Sequence, residues 1–230
     1  MNFNRVLYGI SALFVAATLY MILFYAPSPV SAISNPPGDP NSYKIAYFHI
    51  PIAITAYIGF FIVFLGSIMY ILKKLQGWDM LALAAAEVGV VFAILTLVTG
   101  SIWANATWGY YWVPWDVRLN TSLVLFVIYV AYLMMRQAIE EPEKRARLSA
   151  VFGIIGFIAV PMSYLSIRLW TSSTLHPVAE YTFDAGSPMV RTFLISFTAA
   201  ILLCLSLISL RYENEELAEK ISETKRSEGL

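Results

Sequence analysis

Apolar residues follow one another along this chain in six long stretches, and polar or charged residues gather between them. A helix of about 20 such residues crosses the roughly 30 Å apolar core of a bilayer. None of the stretches alternates with a period of two, which favours helices over the strands of a barrel. The pattern therefore predicts an all-α, polytopic membrane protein with about six spans, near Val6–Tyr25, Ala46–Leu72, Leu81–Trp103, Thr121–Met135, Ala150–Leu169 and Val190–Leu210.

Two of these stretches depart from the ideal length. The second is overlong, so we expect it to begin in the membrane interface, and the fourth is short, so we expect it to extend back towards Asp116. The first follows Arg5 and could be read as a signal peptide, with Val30-Ser31-Ala32 resembling a cleavage site. Its apolar core exceeds the 7–15 residues usual for a signal, which favours a retained helix.

Composition agrees with a lipid-facing surface. Of the 230 residues, 59% are hydrophobic and 13% are charged, whereas a soluble domain carries about a quarter charged residues. Lys and Arg lie mostly in alternate connections: eleven fall on one side and four on the other. The positive-inside rule therefore predicts cytoplasmic termini. We expect the membrane to be the cytoplasmic (inner) one. The formal net charge is zero and there is no basic cluster, so nothing suggests a nucleic-acid partner.

The segments between the stretches predict the domain organisation. We expect residues 1–210 to form one membrane domain and residues 211–230 a charged cytoplasmic tail, which is either solvated or a helix that docks a partner. The predicted connections are two large outer loops, a tight inner turn and a charged inner loop. These are Ala26–Tyr43 and Leu169–Pro188, Lys73–Asp79, and Gln137–Arg147, respectively.

Several chemistries are excluded by what the sequence lacks. Cys204 is the one cysteine, so no intramolecular disulfide can form, and there is no C-x-x-C-H motif for covalent haem attachment. The phosphate-binding motif G-x-x-x-x-G-K-[ST] is also absent, so this chain does not hydrolyse ATP through such a loop.

Four of the six tryptophans fall within thirteen residues after the third stretch: Trp103, Trp108, Trp112 and Trp115. Tryptophan is common at membrane interfaces, but this density exceeds what anchoring needs. Three of them share the spacing of one helical face, which Pro114 must kink or divide between a turn and a helix. Two interpretations remain open: a plain aromatic belt, or a flat platform that stacks a planar apolar ligand.

The two histidines of the chain, His49 and His176, lie on the same predicted side as these tryptophans. A lone histidine is usually structural, but two neutral imidazoles are also a common axial pair for a haem iron. Arg118, Arg168 and Arg191 on that side could pair with ligand carboxylates, or could simply extend to the interface. Glu87 lies inside the third stretch and predicts either interfacial exposure or a hydrogen bond between helices.

The segment Trp108-Gly109-Tyr110-Tyr111-Trp112-Val113-Pro114-Trp115-Asp116, followed by Val117-Arg118, resembles the tryptophan-rich WWD signature of cytochrome c assembly proteins. Within that superfamily it is most similar to the CcmC family. The usual pattern is W-G-x-x-W-x-W-D, and here Pro114 is one extra residue before Trp115. The larger synthetase-type relatives CcmF and CcsA carry additional histidines, which this chain lacks.

This resemblance implies a haem-transfer protein rather than an enzyme. His49 and His176 would be axial ligands of a transiently bound haem b at the outer face. A set of further residues would contact the haem or its acceptor: Trp108, Gly109, Trp112, Trp115, Asp116 and Arg118. The implied acceptor is a CcmE-like haem chaperone, and the implied partners are ABC transporter subunits similar to CcmA and CcmB and a small CcmD-like subunit.

Two other classes of protein remain as alternatives. A cytochrome b-like electron-transfer subunit would keep haem permanently buried and needs paired histidines within its helices. A small-molecule transporter would show internal repeats or polar residues at the middle of the membrane. Such a transporter would bind no haem when purified.

Overall fold

A computed structural model describes residues 3–29, 38–176, 184 and 186–227. The regular structure of these residues is entirely helical, and six segments are long and apolar enough to cross a membrane. The predicted fold class is therefore confirmed. The α-helices are α1 Phe3–Phe24, α2 Ala46–Lys73, α3 Gln76–Trp108, α4 Val117–Ala138, α5 Pro142–Gly156, α6 Ala159–Leu169 and α7 Pro188–Ser227, and 3₁₀ helices cover Pro40–Ile45 and Thr171–Ser173.

The helix ends differ from the predicted connections in two places. The tight inner turn predicted at Lys73–Asp79 is shorter, because α2 ends at Lys73 and α3 already begins at Gln76. The fourth helix does reach back to Asp116, which caps its N-terminus. The charged inner loop predicted at Gln137–Arg147 is wrong, since α4 ends at Ala138 and α5 begins at Pro142. Proline suits the first position of a helix because its missing N–H would be unpaired there anyway. Pro142 therefore begins a helix, and the connection is only three residues long.

The fifth span is broken into α5 and α6. Pro161 lacks the N–H that would bond to Phe157 one turn earlier, and its ring crowds that carbonyl. The chain instead makes a tighter bond there, from the amide of Val160 to the carbonyl of Phe157 at 3.0 Å. This break bends the span and brings Ser163 towards α4, where it contacts the functional site.

The centre of the bundle is the pair α2 and α3, which pack closely through small residues. A Cβ added at Gly59 would lie 3.2 Å from the Cα of Gly89, so the two backbones nearly touch. Such close approach is how helices associate inside membranes, where lipid offers no hydrophobic driving force. Phe60 then stacks on Tyr129 of α4, with ring centroids 3.7 Å apart.

Two ion pairs join the helices at the end of the bundle where α3 begins, here called the Asp79 end. Arg136 donates to both carboxylate oxygens of Asp79, at 2.6 and 2.8 Å, and both side chains are buried. Arg211 of α7 binds Glu87 of α3, with the Nη2 to Oε1 distance at 3.1 Å. This contact confirms the helix-to-helix bond that was one of the two expectations for Glu87.

The lengths of α3 and α4 create a recess at the opposite end, here called the His49 end. The ion pair between Asp79 and Arg136 fixes the start of α3 beside the end of α4. The 20 residues from Arg136 back to Val117 rise about 30 Å, while the 30 residues from Asp79 to Trp108 rise about 45 Å. The C-terminal end of α3 therefore extends beyond the start of α4, and residues 109–116 connect these two helix ends.

The last helix continues without a break past Leu210, where we predicted the membrane domain to end. α7 is 40 residues long, and α1 packs mainly along it. At Glu216 and Lys220 the exposed part carries an ion pair of 2.7 Å with the spacing of one helical turn. The charged tail is therefore helical as far as Ser227, and its separate status stays a prediction.

Candidate functional site

A pocket lies in the recess at the His49 end, between α2, α3 and α4. The pocket is narrow, since the space open to the centre of a water molecule is about 40 Å³. Both histidines of the chain contribute to its wall, although they come from α2 and from the segment before α7. The full lining is His49, Thr96, Leu97, Gly100, Ser101, Trp103, Trp108, Trp112, Arg118, Leu119, Ser122 and His176.

The tryptophan-rich segment leaves the helix at Gly109. This glycine ends α3 with φ +78°, a left-handed conformation that glycine adopts without a steric penalty. The next regular feature is a turn in which the amide of Asp116 donates to the carbonyl of Val113 at 3.0 Å. Pro114 occupies the second position of this turn, which its fixed φ favours. Trp108 therefore belongs to α3 and Trp115 to the turn, which is the division between a helix and a turn that was one of the two expectations for Pro114.

The turn separates the tryptophans into two groups. Trp103, Trp108 and Trp112 line the pocket, and the first two meet edge to face with centroids 5.0 Å apart. Trp115 points away from the pocket and is 70% exposed, and so are its neighbours Tyr110 and Tyr111, at 65% and 64%. The tryptophan-rich part of the chain thus has one aromatic wall inside the pocket and a second aromatic surface outside it.

His49 lies in the first turn of α2 and is held by α3. Its Nδ1 is 2.8 Å from the hydroxyl of Thr99, and that hydroxyl donates its own proton to the carbonyl of Leu95 at 2.8 Å. Because a hydroxyl has one proton, a Thr99 hydroxyl that donates to Leu95 can only accept from His49, with Nδ1 as the donor. In that arrangement Nε2 carries a free lone pair, which is the form of the ring that ligates a metal.

Gly100, in the turn of α3 that also carries Thr99, gives the His49 ring its space. A Cβ at this position would lie 3.1 Å from Cε1 of the ring, closer than nearly all real contacts of that kind. Any other residue would push the imidazole or the helix by a few tenths of an ångström. Thr99 and Gly100 together define both the orientation and the location of the ring.

His176 also lines the pocket, and its ring lies 5.7 Å from that of Trp103. Two hydrogen bonds hold the segment before it. Thr174 and the amide of Leu175 both donate to Oδ2 of Asp116, at 3.0 and 2.6 Å. The amide of His176 in turn donates to the Thr174 hydroxyl at 3.1 Å. The described part of this loop ends at His176.

Asp116 itself is fully buried and is not part of the pocket wall. Its Oδ1 caps α4 by accepting the amide of Leu119 at 3.0 Å. Among the described residues no Lys or Arg pairs with it, including the neighbouring Arg118. Its contacts are thus with the backbone and side chains that shape the site.

Arg118 reaches into the pocket from the first turn of α4. It donates to the carbonyl of Ser163 in α6, and its guanidinium lies 5.9 Å from the ring centroid of Tyr57. A guanidinium has five N–H donors, so most of them remain for an anionic ligand. Arg168 and Arg191, the other candidate cations, do not line the pocket.

Sequence reasoning missed the small and hydroxyl-bearing residues of α3 at and beside the pocket. Thr96, Thr99, Gly100 and Ser101 interrupt an otherwise apolar span, and such interruptions in a membrane helix are an available signal. Trp103 was noted only for its place in the tryptophan cluster. Thr174 could not have been found, since its role depends on a contact across 58 residues.

The pocket has the chemistry of a site for a planar metal macrocycle with carboxylates. It offers two imidazoles, aromatic walls and one arginine. Among the residues described there is no group of three or more His, Cys, Asp or Glu side chains able to hold a bare metal ion. A haem brings four nitrogen ligands of its own, so two histidines suffice for it.

Comparison with known proteins agrees with this chemistry. The family described as CcmC, heme exporter protein C, matches residues 1–227. The chain is 34% identical to the heme exporter protein C of Bradyrhizobium diazoefficiens over 152 residues, 66% of this chain and 57% of that one. It is 30% identical to the Escherichia coli K12 protein of the same name over 175 residues, 76% of this chain and 70% of that one. With the protein of Paracoccus denitrificans the identity is 29%, over 75% and 72% of the two chains. The chain therefore belongs to the heme exporter protein C family and is a multi-pass membrane protein with a role in haem handling for cytochrome c maturation.

Proposed function

We propose that this protein binds haem b in the pocket at the His49 end and hands it to a haem chaperone. One observation carries the proposal: two histidines from distant parts of the chain line one pocket, together with three tryptophans and Arg118. His49 and His176 ligate the iron from its two axial sides. The tryptophans pack against the macrocycle, and the free donors of Arg118 bind a propionate.

Supporting this assignment, the contact between His49 Nδ1 and Thr99 leaves Nε2 for an iron. That hydrogen bond orients the ring at the pocket wall, as a bond to the other ring nitrogen commonly does for ligating histidines. Both ligands sit in a recess that opens outward instead of in the middle of the bundle. An open site lets haem enter and leave, as a transfer protein requires and an electron-transfer subunit does not.

The acceptor docks on the aromatic surface outside the pocket, formed by Tyr110, Tyr111 and Trp115. These three side chains are each more than 60% exposed and belong to the same loop as the pocket tryptophan Trp112. Exposed aromatic side chains of this kind are typical anchors of protein interfaces. The acceptor is a CcmE-like chaperone, and CcmA-, CcmB- and CcmD-like subunits complete the complex, in which this chain carries out binding and transfer rather than catalysis.

A haem spectrum tests the ligation. The protein purified in detergent should show a low-spin, six-coordinate haem, and His49→Ala or His176→Ala should each convert it to a high-spin form or lose the haem. A purified protein that takes up no haem, or a spectrum indifferent to both substitutions, contradicts the proposal.

Substitutions in the two aromatic groups should separate haem binding in the pocket from haem transfer to the chaperone. Trp112→Ala removes a wall of the pocket and should weaken haem binding. Trp115→Ala should leave the haem spectrum and affinity unchanged but slow transfer to the purified apo-chaperone. If both substitutions affect binding equally, the exposed surface has no separate docking role. A haem that never leaves for the chaperone identifies an electron-transfer subunit instead.

The pocket faces the outer side of the cytoplasmic membrane, because the Lys and Arg distribution puts the other end inside. Single cysteines in a Cys204→Ala background test this orientation. Ser173→Cys at the His49 end should react with an impermeant maleimide in spheroplasts, whereas Ser222→Cys should react only after lysis. The reverse labelling pattern would overturn the orientation.

A further inference from the structure

Asp116 uses its two carboxylate oxygens for two different tasks. Oδ1 accepts the amide of Leu119 and so caps α4. Oδ2 accepts the hydroxyl of Thr174 at 3.0 Å and the amide of Leu175 at 2.6 Å, in a segment 58 residues further along the chain. The carboxylate is fully buried, so these bonds replace the water that a charged group would otherwise hold.

A helix cap explains only half of this arrangement. Capping needs one side-chain oxygen, and Ser, Thr or Asn supplies it as well as Asp does. The second oxygen is directed instead at the two residues before His176. Thr174 continues the connection, because its hydroxyl also accepts the amide of His176 at 3.1 Å.

The connection begins at the end of the tryptophan-rich segment and ends at one of the two pocket histidines. Asp116 follows the exposed Trp115 directly, and two hydrogen bonds separate its carboxylate from the backbone of His176. The loop that carries His176 has no helix of its own at that residue, so contacts of this kind decide where the imidazole lies.

We propose that Asp116 is a positioning residue, which acts through Thr174 and Leu175 to hold His176 at the iron position of the pocket. This inference rests on the proposed function, since it concerns a ligand of the bound haem. Asp116 does not contact the haem; it fixes the length and direction of the segment that supplies the second axial ligand. Residues that orient a metal ligand in this way typically change metal affinity by about 10- to 100-fold when replaced.

Asp116→Asn is the sharpest substitution. Asparagine caps a helix as well as aspartate, so α4 keeps its N-terminal bond. Its amide nitrogen, however, is a donor where Oδ2 was an acceptor, so it faces the Thr174 hydroxyl and Leu175 amide with the wrong polarity. Thr174→Val leaves the cap untouched and removes the link to the His176 amide. Ser173→Ala is the matched control, because Ser173 is exposed in the same segment.

The experiment measures the haem spectrum and the rate of haem loss to apomyoglobin for the full-length protein in detergent. Asp116→Asn and Thr174→Val should each raise the high-spin fraction and speed haem loss about 10- to 100-fold, while Ser173→Ala should not. In a His176→Ala background neither substitution should add to the loss, because the ligand that they position is already gone.

Three results would contradict the positioning role of Asp116. Wild-type spectra for both Asp116→Asn and Thr174→Val would overturn the positioning role alone, provided that His176→Ala still alters the haem. Effects that multiply with those of His176→Ala would show that Asp116 acts on haem by another path, which also overturns the role. If His176→Ala itself changes nothing, the proposed haem ligation fails and the positioning role fails with it.

Discussion

Replacing Thr99 with valine should weaken haem binding without altering the fold. The Thr99 hydroxyl lies 2.8 Å from Nδ1 of His49 and accepts a hydrogen bond from it when it donates its own to the carbonyl of Leu95. Valine has nearly the same shape but offers no acceptor. The Nδ1 proton of His49 then has no partner on α3, and the ring is free to rotate or to move its proton to Nε2.

The magnitude follows from the bond that is lost. A partly buried donor left without its acceptor costs about 1–3 kcal/mol. Since each 1.4 kcal/mol corresponds to a factor of ten, the loss amounts to a roughly 5- to 150-fold weaker axial bond. The Leu95 carbonyl keeps its ordinary helical bond, so we expect no comparable change in the stability of the bundle.

Haem dissociation, measured by capture with apomyoglobin, is the suitable assay. Thr96→Val is the matched control, because the Thr96 hydroxyl makes the same kind of bond within α3, to the carbonyl of Phe92 at 2.8 Å, without a hydrogen bond to His49. Thr99→Ser keeps the hydroxyl and should restore wild-type retention of haem. Equal effects of Thr96→Val and Thr99→Val would refute the reasoning, since the bond between Thr99 and His49 would then make no difference.

Three further outcomes follow from the contacts. Gly100→Ala should displace the His49 ring and increase the high-spin fraction of the haem spectrum, because its Cβ would lie 3.1 Å from Cε1. Arg136→Met should lower the thermal unfolding temperature in detergent strongly, since it leaves the buried Asp79 carboxylate unpaired at a cost of about 3–5 kcal/mol, and the double variant Asp79→Leu/Arg136→Met should recover most of that loss. Glu87→Gln should shift the unfolding temperature only slightly and leave haem affinity unchanged, because its pair with Arg211 is about one-third exposed and lies at the Asp79 end, far from the pocket.

The helical stretches could be predicted from the sequence because each membrane span is a long, continuous run of apolar residues. Twenty apolar residues in a row satisfy their backbone hydrogen bonds only as a helix, so the number of spans depends on composition alone. The predicted start of α4 near Asp116 was confirmed for a related reason, since aspartate is a good N-cap. The loop at Gln137–Arg147 was misread because a proline can either end a helix or begin one, and local sequence did not decide between them.

The tryptophan-rich segment shows where local patterns stop being informative. Its spacing suggested one helical face, but Gly109 ends α3 and Pro114 opens a turn, so Trp112 and Trp115 face different surroundings. The position of Pro114 in the motif was visible in the sequence. Its consequence was not, because the direction of Trp115 depends on how the turn packs against the start of α4.

The sequence by itself determined the class of the protein, the number of its spans and the residue types available for haem: two histidines, a tryptophan cluster and an arginine. Only the tertiary structure decided that His49 and His176 line one pocket, that Thr99 contacts the ring of one, and that Asp116 binds the segment before the other. The physical reason is the separation along the chain between the residues that interact. Helix formation in a membrane depends on neighbours within a few turns, whereas these hydrogen bonds join residues 50 or more positions apart and exist only once the helices have packed.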